Sequence, residues 1–183
     1  NHPTRMLFRS IASCMDEIEL LRSRGTRVVE ILDDNFTADR GRAMAFLEEL
    51  RSARLPMAFR IKARADAIDG EMMRLASEAG VYQVSIGAES GDPGVLGAMN
   101  KRIGPMDIER ACRAVIDAGI YCHTSWIVGF PGETPQTIEK TVDLIRRIRP
   151  TTAGIDILVP YRGTRVYEEA AENGTPGGDW TVD

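Results

Sequence analysis

The sequence predicts an α/β protein whose parallel sheet is curled towards a barrel. Short strand-like runs alternate with longer segments of helical periodicity, and helices of this length make parallel crossovers. The runs span residues 27–32, 57–64, 82–88, 121–128 and 154–159. A parallel sheet covered by helices on both faces is apolar throughout, whereas these runs keep one polar face. We therefore expect helices on the apolar face and a hydrated or ligand-filled concavity on the polar face.

The helical segments carry the expected stripes and stop signals. Ile138, Val142 and Ile145 recur at the spacing of one buried helix face. Gly80 and Gly119 each follow a helical pattern and precede a strand, as helix-ending glycines do. No linker, low-complexity segment or second domain is evident, so residues 1–183 are expected to be one domain.

Strand alternation assigns side chains to the two faces. On the predicted polar face lie Arg60, Lys62, Arg64, Gln83, Ser85, Gly87, Glu89, His123 and Ser125. The basic row of the second strand is expected to form ion pairs with Glu30 and Glu89 across the concavity. His123 stands alone, and a lone histidine is more often structural than catalytic.

Composition excludes several classes of function. The chain has 183 residues, 43% hydrophobic and 27% charged, which is typical of a soluble globular domain. A net charge of −4 argues against a general nucleic-acid surface, and no apolar run approaches a membrane span. The three cysteines, Cys14, Cys112 and Cys122, are too scattered for a zinc site or a disulfide framework. Reduced thiols and a cytoplasmic location are expected.

The stretch "SWIVGFPGET" (residues 125–134) ends one strand and begins a helix. Thr134 followed by Pro135 is a typical helix start, with an N-cap hydroxyl and proline in the first turn. Gly129 and Gly132 flank Phe130-Pro131 at a strand's carboxyl end, where α/β proteins bind ligands. The spacing and the missing lysine exclude a phosphate-binding P-loop. A simple strand–turn–helix junction and a ligand-binding backbone explain this pattern equally well.

Two other strand ends carry carboxylates. In "ILDDNFT", residues Asp33 to Asn35 either cap a helix that Thr37 begins or receive an ammonium group or a metal. In "GAESG", Glu89 lies at the same edge of the sheet and suits a ribose diol, while Gly91 permits close backbone approach. Lys101, twelve residues after Glu89, is by default a solvated charge.

These motifs, taken in order, resemble the core of radical S-adenosylmethionine (SAM) enzymes, in particular the cobalamin-binding branch that includes anaerobic magnesium-protoporphyrin monomethyl ester cyclase-like proteins. The matching stretches are "ILDDNFTADR", "AGVYQVSIGAESG", "LGAMNK", "WIVGFPGETPQTIEKT" and "LVPYRGTRVYEEA". The resemblance covers nearly the whole chain. It implies a partial parallel (β/α)6 TIM-like barrel whose first strand and cluster loop would lie before Asn1, with residues 1–183 as an incomplete core domain.

The resemblance also implies the chemistry. A 4Fe–4S cluster donates an electron to SAM, and the deoxyadenosyl radical then abstracts hydrogen from a small-molecule substrate for cyclisation, methyl transfer or a related outcome. A reductant such as flavodoxin or ferredoxin is expected, together with cobalamin in the full-length protein. The family's three cluster cysteines, spaced C-x3-C-x2-C, have no match here. No metal ligand is therefore predicted in this chain, and the chain alone is expected to be inactive.

The resemblance assigns cofactor-binding residues position by position. The full set is Asp33, Asp34, Asn35, Arg64, Glu89, Ser90, Lys101, Ser125, Trp126, Ile127, Val128, Gly129, Leu158 and Tyr161. The aspartates stand where the family holds the methionine ammonium, usually with a Gly-Gly-Glu stretch that this chain lacks. Glu89 matches the ribose contact and Lys101 the partner of the methionine carboxylate. The backbone of residues 126–129 and of 158–161 would face the adenine.

Two alternatives remain open at this level. One is a sulfur-inserting or tRNA-modifying radical SAM enzyme, although "DDNFT" differs from the motifs of that branch. The other is a non-catalytic barrel that serves as a binding module.

Overall fold

The computed structural model describes residues 8–172, so the predicted domain of residues 1–183 extends beyond the described part at both ends. Its strands are β1 (Val28–Glu30), β2 (Ala58–Ala63), β3 (Val81–Glu89), β4 (Tyr121–Val128) and β5 (Thr152–Ile157). Its α-helices are α1 (Ile11–Ser23), α2 (Arg40–Ala53), α3 (Gly70–Glu78), α4 (Pro93–Ala98), α5 (Pro105–Asp117), α6 (Pro135–Ile148) and α7 (Arg165–Glu172). A short 3-10 helix covers Ala65–Ala67.

The five strands form one sheet in the order β1-β2-β3-β4-β5, and every neighbouring pair is parallel. All five predicted strands are confirmed, with ends that shift by a few residues. The sequential order follows from helical crossovers that each return the chain to the next position in the sheet. The sheet curls into a half-barrel, which confirms the predicted partial TIM-like fold.

The core lies between the apolar face of the sheet and the helices. Val84, Ile86 and Ala88 of β3 are fully buried against it, as the alternation predicts. The helices contribute fully buried side chains such as Met72 of α3 and Ile108 of α5. Burial of each large aliphatic side chain contributes about 1.5–3 kcal/mol. This layer therefore holds the central strands firmly and leaves the opposite face free for polar groups.

One predicted helix start is wrong and another is confirmed. The helix after β1 begins at Arg40, because the Asp39 side chain accepts a hydrogen bond from the Arg42 amide at 2.9 Å. Thr37 is instead buried and donates from its hydroxyl to Asn35 Oδ1 at 2.8 Å. The aspartates at 33 and 34 are therefore not helix caps. Helix α6 begins as predicted, with Thr134 as the N-cap.

The described helices include none that is both long and apolar enough to cross a membrane.

Candidate functional site

A concavity of about 640 Å³ covers the inner, polar face of the sheet. We call it the lumen. The strand register arranges its lining in rows that run across the sheet. The rows follow one another from the amino ends of the strands to the carboxyl ends. The lower row is Glu30, Arg60, Gln83 and Tyr121; the middle row is Lys62, Ser85, His123 and Thr152; the upper row is Gly87, Ser125 and Gly154. The predicted polar face is thus confirmed as one continuous surface.

Glu89 lies above the upper row, at the carboxyl end of β3. The β3–β4 register shifts between Gly87 and Glu89, and Glu89 has the left-handed φ of 61°, which is uncommon for a residue with a side chain. Its Oε1 lies 2.8 Å from Lys101 Nζ, and the two side chains are only 16% and 25% exposed. Lys101 Nζ also donates to the Gly87 carbonyl at 3.3 Å. A carboxylate and an ammonium group are therefore held together at the rim.

This pair corrects two expectations. Glu89 was expected to meet the basic row of β2, but its partner is Lys101 from the connection after α4. In that basic row, only Arg60 has a predicted partner, Glu30. Arg64 lines the lumen but pairs with Asp66 at 2.9 Å. Lys101 is accordingly a fixed part of the rim and not a solvated charge.

Helix α6 holds the turn after Glu89, residues 89–92, which we call the ESGD turn. The Thr141 hydroxyl accepts from the Gly91 amide at 2.8 Å and shares a hydrogen bond of 3.3 Å with the Ser90 hydroxyl. A Cβ on Gly91 would lie 2.5 Å from the Lys140 carbonyl oxygen and 2.6 Å from Thr141 Cα. Gly91 is therefore required for packing against α6, and the backbone that approaches this glycine closely is that of the helix.

Ser90 and Asp92 complete the attachment. The Ser90 side chain is 0% exposed and accepts from the Asp92 amide at 3.1 Å, so the structure does not bring it into the lumen. Asp92 accepts from the Val95 amide at 2.9 Å and from Lys140 Nζ at 2.7 Å. The hydrogen bond from Lys140, with that of the Val95 amide, holds the pKa of Asp92 below its ordinary value. The ESGD turn is thus held by α6, through Thr141 and Lys140, and by the first turn of α4, through the Val95 amide.

The turn after β4, residues 129–133, is built differently. We call it the GFPGE turn. Glu133 folds back so that its Oε2 accepts from the amides of Gly129 at 2.5 Å and Phe130 at 3.1 Å. Gly129 has a φ of 87°, and the nearest atom to an added Cβ would be Ile157 Cγ2 at 4.0 Å. The sequence reasoning missed Glu133, although a carboxylate a few residues after a glycine turn could have indicated it.

The remaining predicted residues of β4 and β5 contribute unequally. Ser125 lines the lumen. Trp126 is 0% exposed and its Nε1 donates to Thr124 Oγ1 at 2.9 Å on the helix side of the sheet, so its side chain does not enter the lumen. Ile127 and Val128 are half-buried. The Leu158 amide donates to the Val128 carbonyl at 2.8 Å.

Tyr161, in the segment after β5, has a side chain that is 73% exposed.

The structure separates the two adjacent aspartates after β1. Asp34 lines the lumen, whereas Asp33 lines a second cavity of about 470 Å³ between α1, β1 and α2. Asn35 is engaged by the Thr37 hydroxyl. Of this predicted trio, Asp34 is the residue placed to reach a ligand in the lumen.

The cysteines do not fit an iron–sulfur cluster. Cys14 is half-buried in α1, and Cys112 of α5 and Cys122 of β4 are buried. The neighbouring Cys122 thiol, together with burial, raises the pKa of Cys112. Within residues 8–172, no group of three or more His, Cys, Asp or Glu side chains is placed to hold a metal ion.

The chain has recognisable relatives. It is 28% identical over 165 residues to an uncharacterized methyltransferase of Pyrococcus horikoshii, covering 90% of this chain and 36% of the relative. It is 27% identical over 160 residues to the anaerobic magnesium-protoporphyrin IX monomethyl ester cyclase of Cereibacter sphaeroides, covering 85% of this chain and 26% of the cyclase. The chain thus spans about a third or less of the length of these relatives.

A solved structure shares the fold. TsrM from Kitasatospora setae, a radical SAM methyltransferase with cobalamin and a [4Fe–4S] cluster bound, superposes with a TM-score of 0.82 at 26% identity, covering 90% of this chain and 32% of TsrM. The family model of the radical SAM superfamily matches residues 2–145, well over half of the sequence. The chain therefore belongs to the radical SAM superfamily.

Proposed function

We propose that residues 1–183 form the SAM-binding part of a radical SAM enzyme core. The observation that supports this most directly is the Glu89–Lys101 pair at the carboxyl rim of the lumen. SAM carries a ribose diol, which donates hydrogen bonds, and a methionine carboxylate, which accepts them. A carboxylate and an ammonium group within hydrogen-bonding reach of each other complement both parts of this one ligand.

In the structure the two groups neutralise each other. On binding, the ribose hydroxyls would donate to Glu89 and the methionine carboxylate would accept from Lys101, so each charge exchanges one partner for another. Asp34, which lines the same lumen, suits the methionine ammonium group. The adenine would lie along the backbone of residues 126–129, with Leu158 and Tyr161 beyond it.

In the whole enzyme, a 4Fe–4S cluster would supply the electron that cleaves SAM. The described cysteines do not fit such a cluster, so we propose that its ligands come from outside residues 8–172. A reductant such as flavodoxin or ferredoxin, a small-molecule substrate and cobalamin complete the proposal, with hydrogen abstraction, cyclisation or methyl transfer as the reaction. The free thiols of Cys14, Cys112 and Cys122 are consistent with a cytoplasmic location.

Calorimetric titration of SAM into the full-length protein tests the proposal. Glu89→Gln should lower the affinity about tenfold or more, because hydrogen bonds to charged groups contribute about 1.5–3 kcal/mol. Glu139→Gln, at an exposed glutamate on α6, is the matched control and should leave the affinity unchanged. Equal affinities for wild type and Glu89→Gln would remove Glu89 from the site.

A further inference from the structure

We propose that the middle row of the lumen is an oxyanion subsite, which binds a carboxylate, phosphonate or phosphate group of the substrate. This inference rests on the proposed function, because it takes the lumen below the SAM site as the place where the substrate lies. Lys62, Ser85 and His123 carry the argument, and all three line the same concavity.

The sheet register brings these side chains into one row. Lys62 of β2 is paired with Ser85 of β3, and Ser85 with His123 of β4. Neighbouring strands lie about 4.8 Å apart, so the Cα atoms of Lys62 and His123 are roughly 10 Å apart. Side chains that lean inwards from such a row can converge on one small anionic group.

Ser85 and His123 each have hydrogen-bonding capacity to spare. The Ser85 hydroxyl accepts from Gln83 Nε2 at 3.3 Å, which leaves its own proton available for donation. His123 Nδ1 shares a hydrogen bond of 2.8 Å with the Thr152 hydroxyl. With the Thr152 hydroxyl as the donor, His123 Nε2 carries the ring proton and can donate a hydrogen bond to a ligand. An oxyanion satisfies both of these donors.

Lys62 has no partner for its charge. The basic residues on either side of it are neutralised, Arg60 of β2 by Glu30 and Arg64, just after β2, by Asp66. By contrast, Lys62 Nζ makes no hydrogen bond or ion pair within residues 8–172, although its side chain is half-buried. Asp34 lines the same lumen but makes no ion pair with Lys62. A half-buried ammonium group without a partner is a favourable place for an anion.

The subsite is distinct from the rim. The upper row lies between them, about 6.6 Å above the middle row for two residues of strand. That row carries Gly87, Ser125 and Gly154, and the Glu89–Lys101 pair lies over Gly87, where an added Cβ would be 2.8 Å from Glu89 Oε1 and 3.3 Å from Lys101 Nζ. An anion at Lys62 would therefore leave the Lys101 position to the methionine carboxylate, while the rest of the substrate extends towards SAM.

Titrations of the full-length protein test the subsite with two probes, methylphosphonate and acetate, each followed by NMR of the probe. At least one probe should bind, and Lys62→Met should weaken that binding about fivefold or more. Lys62→Arg, which keeps the charge, should retain it, as should the control Arg24→Met at an exposed position. The probe that binds more tightly identifies the anionic group.

SAM titrations separate this inference from the proposed function. Lys62→Met should bind SAM within about twofold of wild type, and Glu89→Gln should bind the probe as wild type does. Absence of SAM binding to wild type would refute the proposed function and the substrate role of the subsite, even if the probes bind. With SAM binding intact, the subsite is refuted if neither probe binds, if Lys62→Met binds like wild type, or if SAM displaces the probe.

Discussion

Two turns follow neighbouring strands at the same rim, and they are held in place by different means. The ESGD turn after β3 is buried, and the residues that fix it, Lys101, Lys140 and Thr141, come from elsewhere in the chain. The GFPGE turn after β4 is largely exposed and is fixed by its own Glu133 and by the left-handed Gly129. The two turns therefore lie at the same rim, but different interactions hold their conformations.

The difference matters for the candidate ligand contacts. Glu89 adopts a left-handed backbone, which costs a residue with a side chain about 1–2 kcal/mol. The surrounding contacts must maintain that conformation. Its orientation thus depends on how α6 packs, whereas the backbone of the GFPGE turn depends on local geometry. A substitution in the ESGD turn should consequently affect the packing of α6, whereas a substitution in the GFPGE turn should affect the turn itself.

The largest effect is expected from Gly91→Ala. The added methyl would overlap the backbone of residues 140 and 141, so α6 must move, and we expect the free energy of unfolding to fall by about 3 kcal/mol. Chemical denaturation measures this change. Gly97→Ala in α4 is the control, because nothing lies within 4 Å of an added Cβ there. Similar stabilities for the two variants would contradict the close packing of Gly91 on α6.

Thr141→Val removes the hydroxyl while keeping the shape of the side chain. The Gly91 amide would lose its acceptor, which should reduce stability by about 1–3 kcal/mol. SAM affinity should fall as well, because Glu89 loses its support, and Thr141→Ser should restore both. Combined with Glu89→Gln, the loss of SAM affinity should be less than additive. Additive losses of affinity would show that Thr141 does not act through Glu89.

Substitutions at Gly129 test the opposite kind of constraint. Space is open there but φ is 87°, so Gly129→Ala should cost about 1 kcal/mol and Gly129→Asn less, because asparagine tolerates left-handed conformations better. At Gly91 the order should reverse, with Gly91→Asn less stable than Gly91→Ala, because the size of the side chain limits stability there. Thermal and chemical denaturation of the four variants make the comparison. The same order at both sites would mean that the two turns do not differ as described.

The smallest effect concerns pH. Asp92 has a lowered pKa in the folded state, so its ionised form contributes stability above the unfolded value of about 3.9, and that contribution is lost as the pH falls through the folded value. Asp92→Asn should therefore be less stable than wild type at pH 7, with a difference that narrows below about pH 4. Denaturation midpoints of both proteins, measured between roughly pH 2.5 and pH 7, give this difference in stability. A constant difference across that range would contradict the ion pair with Lys140.

Much of the fold and part of the rim were predictable because they depend on local rules. Strand alternation placed Lys62, Ser85 and His123 on one face, and a hydroxyl before proline marked the start of α6 at Thr134. The position of Glu89 at the rim followed from the same alternation. Helix α2 shows the limit, since Thr37 and Asp39 are both acceptable caps by residue type and the sequence did not discriminate between them.

By itself, the sequence determined the order of elements and the polar face, and the groups that fix the GFPGE turn all lie within that short stretch of sequence. Only the tertiary structure decided that Lys101 pairs with Glu89, that Gly91 packs on α6 and that Cys112 neighbours Cys122. The first set depends on periodicity, capping and φ preference, which a few adjacent residues express. The second depends on where distant helices come to rest, and that position is fixed by packing of the whole core rather than by any one segment.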